Sequence, residues 1–447
     1  MEATKQRGRG RRVVGGLIAS ACVVALVACG DDSGSSSATT ASPATSAASG
    51  AATTAAGGAA TTAAGAGTTA AGVKATGEPI VVGIYTPANN PSFTAPELID
   101  GAEAAVDYVN NNLGGIGGRP IQLESCTTDY TAPGLTACVN QLFQKNPLII
   151  IPGPDAGALA VQPTIDATGI PLIGGASFTP PEYTSPNRAL FNGWSASLFP
   201  AMVHFAISQL HATNLAALAY DLPSNTFIKA LFMDAPAKAA GIPAPATVTA
   251  PAGTADLTAT FAAALQTKPD ALLAYGLPCQ PAFQAYTSLG TNVPMIMPDN
   301  CGDPATLKAA GSAANGVYFV NLYKGQEVFP DDPDVQLYDK VMSEQKPDAA
   351  DTDFSRGGFG TIMNIQALLG NMDPASLTHE SVLAAFKATK DQPSFLNVPY
   401  SCSAVPVAAY PGICAGSAYL VQQVDGKIQK LSDYIPMDVL WGAAAGG

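Results

Sequence analysis

The sequence predicts an α/β protein of two successive lobes, each built on a parallel sheet, and three observations carry that prediction. Short apolar runs rich in Ile, Val and Leu recur along the chain, as expected of strands buried on both faces. Segments with helical spacing separate these runs and supply the crossovers that parallel strands need. After residue 210 the same alternation starts again, which calls for a second sheet.

The first run, EPIVVGIY at residues 78–85, reads as a strand. In the following TAPE, Thr94 and Glu97 have capping-box spacing, and Leu98, Ala102, Ala105 and Val109 then recur at helical intervals. Next comes NNNLGGIGGRPIQLE, residues 110–124, with four glycines between the helix and a second strand. A phosphate cradle needs the opposite order, strand then glycines then helix, because the anion sits on the free N–H groups of a helix start. The glycines therefore read as a reversal from helix to strand through positive φ.

NPLIIIPG (146–153) and GIPLIGG (169–175) supply the third and fourth strands, with a helix around residues 159–167 between them. Beyond a helix near 197–210, the second series runs strand 214–221, helix 225–240, a strand near Thr247, helix 255–266, strand 268–276, helix 281–289 and strand 293–299. Segments 317–322, 358–370 and 381–390 have no sheet of their own and are expected to return and complete the lobes. Open parallel sheets bind ligands beyond the carboxyl ends of their strands, so two facing lobes make a cleft there.

Composition narrows the function. The 447 residues are 47% hydrophobic and 12% charged, with a formal net charge of −13. That balance excludes a typical nucleic-acid binder, which needs clustered Lys and Arg. The only dense basic run, KQRGRGRR at residues 5–12, is followed by an apolar segment at 13–28, the layout of a signal peptide. The segment ends in LVAC and resembles the bacterial lipobox, which would make Cys29 a lipidated N-terminus; the alternative is a plain signal peptide cut near Ala28. Residues 30–77 are almost wholly Ala, Thr, Ser and Gly and read as a flexible tether with a reach on the order of 40 Å.

Taken in order, GIYTP, GAEAAVDYVNNNLGGIGGRPIQLE, IPGPDAG, GIPLIGGAS, KPDALLAYG and AANGVYFV resemble the branched-chain amino-acid type of ABC-transporter substrate-binding protein, with a type I periplasmic-binding fold. The similarity runs from about Glu78 to Gly426. It implies two Rossmann-like lobes with parallel sheets joined by a three-crossing hinge, near residues 195–199, 320–323 and 390–395. The lobes would comprise residues 78–196 with 322–390, and 197–321 with 391–440. They would close on a small polar solute such as an amino acid, amide or small carboxylate, without cofactor or catalysis, and deliver it to a permease and its ATPase. A ligand sensor or surface interaction protein on the same fold is the alternative.

The resemblance also places the ligand loops. Where the family commonly has a serine for the ligand carboxylate, this chain has Asp155, Ala156 and Gly157. The next loop offers Ala176, Ser177 and Thr179 as a grip for a carboxylate or amide, and Tyr85 ends the first strand. In the second lobe the corresponding loops carry Asn225 without an aromatic ring, then Tyr275, then Asp299, which matches the family acid that pairs with the ligand's ammonium.

Six cysteines lie beyond the leader, and proximity in the implied fold suggests the disulfides Cys126–Cys138, Cys279–Cys301 and Cys402–Cys414 out of fifteen pairings. An exported compartment favours such bridges. A metal site is the rival, but no C-x-x-C occurs and His204, His211 and His379 stand at no ligand spacing. No G-x-S-x-G, H-E-x-x-H or Walker loop is present. Asp331, Asp332 and Asp334 in EVFPDDPD read as a solvated cluster, and paired glycosidase-type acids are the remaining enzymatic alternative.

Overall fold

The computed structural model describes residues 72–91 and 93–442, all within one compact unit. The signal segment, Cys29 and the tether up to residue 71 lie outside the described residues.

The first lobe is a five-stranded parallel sheet of β1 (Ile80–Pro87), β2 (Ile121–Thr128), β3 (Ile149–Ile151), β4 (Leu172–Ile173) and β5 (Arg188–Ala189), in the order β2-β1-β3-β4-β5. β1 is central and buried almost throughout, which is why its β-branched residues show no alternation. The second sheet begins with β6 (Leu215–Tyr220), β7 (Ala246–Ala250), β8 (Ala271–Ala274), β9 (Met295–Pro298) and β10 (Tyr318–Asn321). It adds the antiparallel pair β11 (Ser417–Val424) and β12 (Lys427–Lys430) at the β10 edge, giving β12-β11-β10-β9-β8-β6-β7. Both lobes thus start from one pattern, in which the first strand of the lobe sits between its second and third.

The first helix, Glu97–Asn112, buries the predicted Leu98, Ala102, Ala105 and Val109. Its N-cap is Pro96 with no side-chain cap, so the Thr94 and Glu97 capping box does not form; proline's fixed φ starts the helix instead. This helix lies against Asp353–Leu369 at glycine contacts. A Cβ on Gly101 would fall 2.0 Å from the Ser355 carbonyl oxygen, and one on Gly358 would fall 2.0 Å from that of Leu98. After the helix, Gly114, Gly115, Gly117 and Gly118 all have positive φ, between 56° and 79°, and turn the chain into β2.

Four details differ from the sequence reading. Val73 to Thr76, assigned there to the tether, run along the end of the first helix; Val73 N donates to Asn112 O (3.0 Å) and Ala75 N to Asn110 O (2.8 Å). The predicted 225–240 helix is two, Pro223–Phe232 and Asp234–Ala239. Asp332 is not simply solvated: it caps a further helix, Pro333–Gln345, and takes the Lys324 ammonium at 2.7 Å. Residues 391–414 pack on the first lobe: Phe395 stacks on Phe359 at 5.4 Å, and Leu190 pairs with Ile413 beside β5. The third crossing consequently falls between Cys414 and β11, later than residues 390–395.

All three disulfides are present, with Cα separations of 5.8 Å for Cys126–Cys138, 5.3 Å for Cys279–Cys301 and 4.1 Å for Cys402–Cys414. Among the described residues no helix is long and apolar enough to cross a membrane.

Candidate ligand site

A cavity of about 290 Å³ lies where the carboxyl-end loops of the two sheets meet. The first lobe contributes Phe93 from the loop after β1, Tyr130 after β2, Phe178 after β4, and Phe354 from the first turn of Asp353–Leu369. The second lobe contributes Phe199, Asn225, Tyr275 and Asp299. Between them stands Trp194, on the first crossing, with its ring stacked on Phe354 at 5.0 Å and 9°. Tyr130 of one lobe and Ser224 of the other both line the cavity.

Two residues of this wall carry backbone strain. Tyr130 has φ 66° and Trp194 φ 43°, a region bulky side chains avoid at a cost of order 1–3 kcal/mol each. Trp194 is held there by its N–H, which donates to Asn192 Oδ1 at 2.8 Å.

Of the sequence-predicted ligand residues, Asn225, Tyr275 and Asp299 line the cavity. The Asn225 amide donates to Tyr220 O at 3.0 Å, and the Tyr275 hydroxyl donates to Asn225 O at 2.9 Å, so both bonds fix the loop that carries Asn225. Asp299 is turned toward the hinge, where its Oδ2 accepts the Asp353 N–H at 3.3 Å. Asp353 in turn accepts from Leu322 N at 2.7 Å, on the second crossing, and from Arg356 Nη1 at 3.4 Å. Burial and the neighbouring Asp353 hold the Asp299 carboxyl well above the usual carboxylate range, while burial pushes Asp353 up to about 6. The Cys279–Cys301 bridge ties the loops after β8 and β9, and both cysteines line the cavity.

The remaining candidates sit behind the wall or in its framework. Asp155 is fully buried; it accepts from the Thr128 hydroxyl and from Gly157 N at 2.7 Å, organising its own loop. Ala156 accepts from Leu159 N at 3.2 Å as the next helix starts, and Ala176 N is used by Pro152 O at 2.9 Å. The Ser177 hydroxyl accepts from Arg188 Nη2 at 2.5 Å and its carbonyl from the Tyr183 hydroxyl. Thr179 caps the short Pro180–Thr184 helix through Glu182, whose Oε2 accepts from Thr179 N (2.7 Å), Thr179 Oγ1 (2.8 Å) and Phe178 N (3.0 Å). Burial pushes Glu182 up to about 7, against the pull of Arg188 and these donors. Tyr85 is fully buried, and burial together with the charge of Glu182 raises its phenol.

The sequence reading named none of Phe93, Tyr130, Phe178, Trp194, Phe199 or Phe354. One signal was available: Trp194, one of two tryptophans, immediately precedes the predicted crossing at 195–199.

A cavity walled by two similar α/β lobes and a crossing segment defines a two-lobed binding protein. A family model described as periplasmic binding protein matches residues 79–401, and the chain belongs to that family. Its fold is of the type I kind found in leucine and branched-chain amino-acid binding proteins of ABC transporters. A fatty acid ABC transporter substrate-binding protein from Thermomonospora curvata is similar at TM-score 0.70 and 16% identity, over 84% of this chain and 96% of that one. A branched-chain amino acid ABC transporter protein from Thermus thermophilus with bound valine gives 0.70 and 14%, over 81% and 98%. LivJ of Streptococcus pneumoniae, in complex with isoleucine, gives 0.64 and 15%, over 80% and 100%. Comparison with curated proteins returned no match.

Proposed function

We propose that this chain is the extracytoplasmic solute-binding component of an ABC importer, holding one small solute between its lobes and passing it to a membrane permease without chemical change. The observation that carries the reading is the cavity itself, built from the carboxyl-end loops of both lobes and the first crossing. A solute touching both walls favours the closed arrangement by its differential affinity for the two states. Family membership and the transporter proteins of the same fold support a transport role. The leader and lipobox-like LVAC support export and anchoring through Cys29, and three disulfides suit an oxidising compartment.

A thermal-shift screen of the purified protein tests this, using amino acids, amides, carboxylates and aromatic solutes. A true ligand at a hundred times its Kd adds about 2.7 kcal/mol to stability, and the ligand should be recovered unaltered. A panel of this breadth with no upward shift would sink the reading, as would appearance of product. Retention of the protein in the membrane fraction, lost on Cys29→Ala, checks the anchor.

A further inference from the structure

Resting on the reading of this cavity as the solute site, we propose that its ligand class is a small neutral aromatic solute without a carboxylate, and not a free α-amino acid. Three observations lead there. The first is the wall: seven aromatic side chains face one space, with the apolar Leu222, Leu277 and Met297 beside them. Aromatic walls pair with aromatic rings through stacked and edge-on contacts. The size agrees, because a cavity of about 150 Å³ holds benzene and this one has about 290 Å³. A single ring with a short amide arm, or a two-ring system, fills it.

The second observation is charge. Among the described residues lining the cavity none is Lys, Arg or His, and the one ionisable acid is Asp299. A carboxylate entering this space would lose its hydration and meet no cation. Asp299 is turned toward the hinge, where its Oδ2 accepts from Asp353 N, and its carboxyl is held toward the neutral form, which weakens it as an anchor for an ammonium ion.

The third is the fate of the donors that would grip a carboxylate. In the 176–179 loop, Phe178 N, Thr179 N and Thr179 Oγ1 all point to Glu182 Oε2. Ala176 N is taken by Pro152 O, and the Ser177 hydroxyl is fully buried, its oxygen accepting from Arg188 Nη2. The chain's own carboxylate has filled the anion grip from behind, and a donor used once is not available again. What remains open to the cavity is ring surface with a few hydrogen-bonding groups, among them Ser224, Asn225 and Asn300.

The test is calorimetric titration of the full-length protein with matched sets: indole-3-acetamide, indole-3-acetate and tryptophan; benzamide, benzoate and phenylalanine; and leucine. Each amide is expected to bind at least tenfold tighter than its acid and its amino acid. Phe178→Ala, a half-buried substitution compatible with folding, is expected to weaken the amides at least fivefold. Tighter binding of an acid, an amino acid or leucine would overturn the inference while leaving the solute-binding reading intact. Amide affinity unchanged by Phe178→Ala would overturn it as well. Binding by none of the neutral probes also overturns it, and the solute-binding reading then stands or falls on the wider screen alone.

Discussion

In the first lobe the loop after β4 turns its polar groups inward, Ser177 toward Arg188 and Thr179 toward Glu182. In the second lobe the loops after β8 and β9 instead leave Tyr275 and Asp299 on the cavity wall. The two sheets begin from the same strand pattern, so topology does not cause this difference. Its cause is local. A buried arginine and a buried glutamate stand under the first-lobe loop: the glutamate accepts from Phe178 N and from Thr179, and the arginine donates to the Ser177 hydroxyl. Matching loops at matching strand ends can therefore be turned into the framework in one lobe and left lining the cavity in the other.

The contrast can be broken most directly at Arg188. Replacing it with Met removes the donor to the Ser177 hydroxyl and the positive charge near the buried Glu182, and losing a hydrogen bond to a charged group costs about 1.5–3 kcal/mol. Urea unfolding should show a loss of that size, and a loss under 1 kcal/mol would mean the first-lobe loop is not held as argued. On the second-lobe side, Cys279→Ser with Cys301→Ser opens a cross-link whose residues lie 22 apart, worth about 3 kcal/mol. The double variant should unfold earlier and bind solute more weakly, because the two loops that carry Tyr275 and Asp299 are no longer tied.

A smaller effect concerns pH. Glu182 is raised to about 7 in the folded protein from an ordinary 4.5, so the folded state holds its proton more tightly than the unfolded chain. The stability it contributes is complete below about pH 4.5 and lost as pH rises through about 7. Asp353, raised to about 6, acts in the same direction. Melting temperature should fall between pH 5 and 7.5, and Glu182→Gln should flatten part of that slope; an equal slope in both proteins would contradict the assignment. The smallest effect is a control. Lys145 lies 3.4 Å from Glu124 and is 56% exposed, so Lys145→Ala should change stability by less than about 0.5 kcal/mol.

Much of the fold was legible because central strands buried on both faces must be written in unbroken apolar residues, as in Ile149–Ile151. Arg188–Ala189 was not, since two residues with a charged member give no periodicity, and the Ser417–Val424 and Lys427–Lys430 pair lay beyond the segments read as strands. The helix Pro333–Gln345 was hidden by its own start, where Asp332 and Pro333 look like loop residues and are a cap and a first turn. At the site, loop positions could be foreseen from strand ends, whereas the direction of each side chain could not. Phe93, Tyr130 and Phe178 belong to three loops and meet only through rings packed 5.3 Å apart once the sheet has formed.

The docking of Val73 to Thr76 has a mechanical consequence. These residues join the body beside Asn110, whose side chain holds the start of β2 through Ile121, so the chain enters at the amino end of the first sheet. The cavity lies at the other end, a strand length away, about 25 Å for the eight residues of β1. A pull transmitted along the chain from residue 72 is taken up by the first helix and the foot of the sheet. It reaches the loops around the cavity only through the whole length of the lobe.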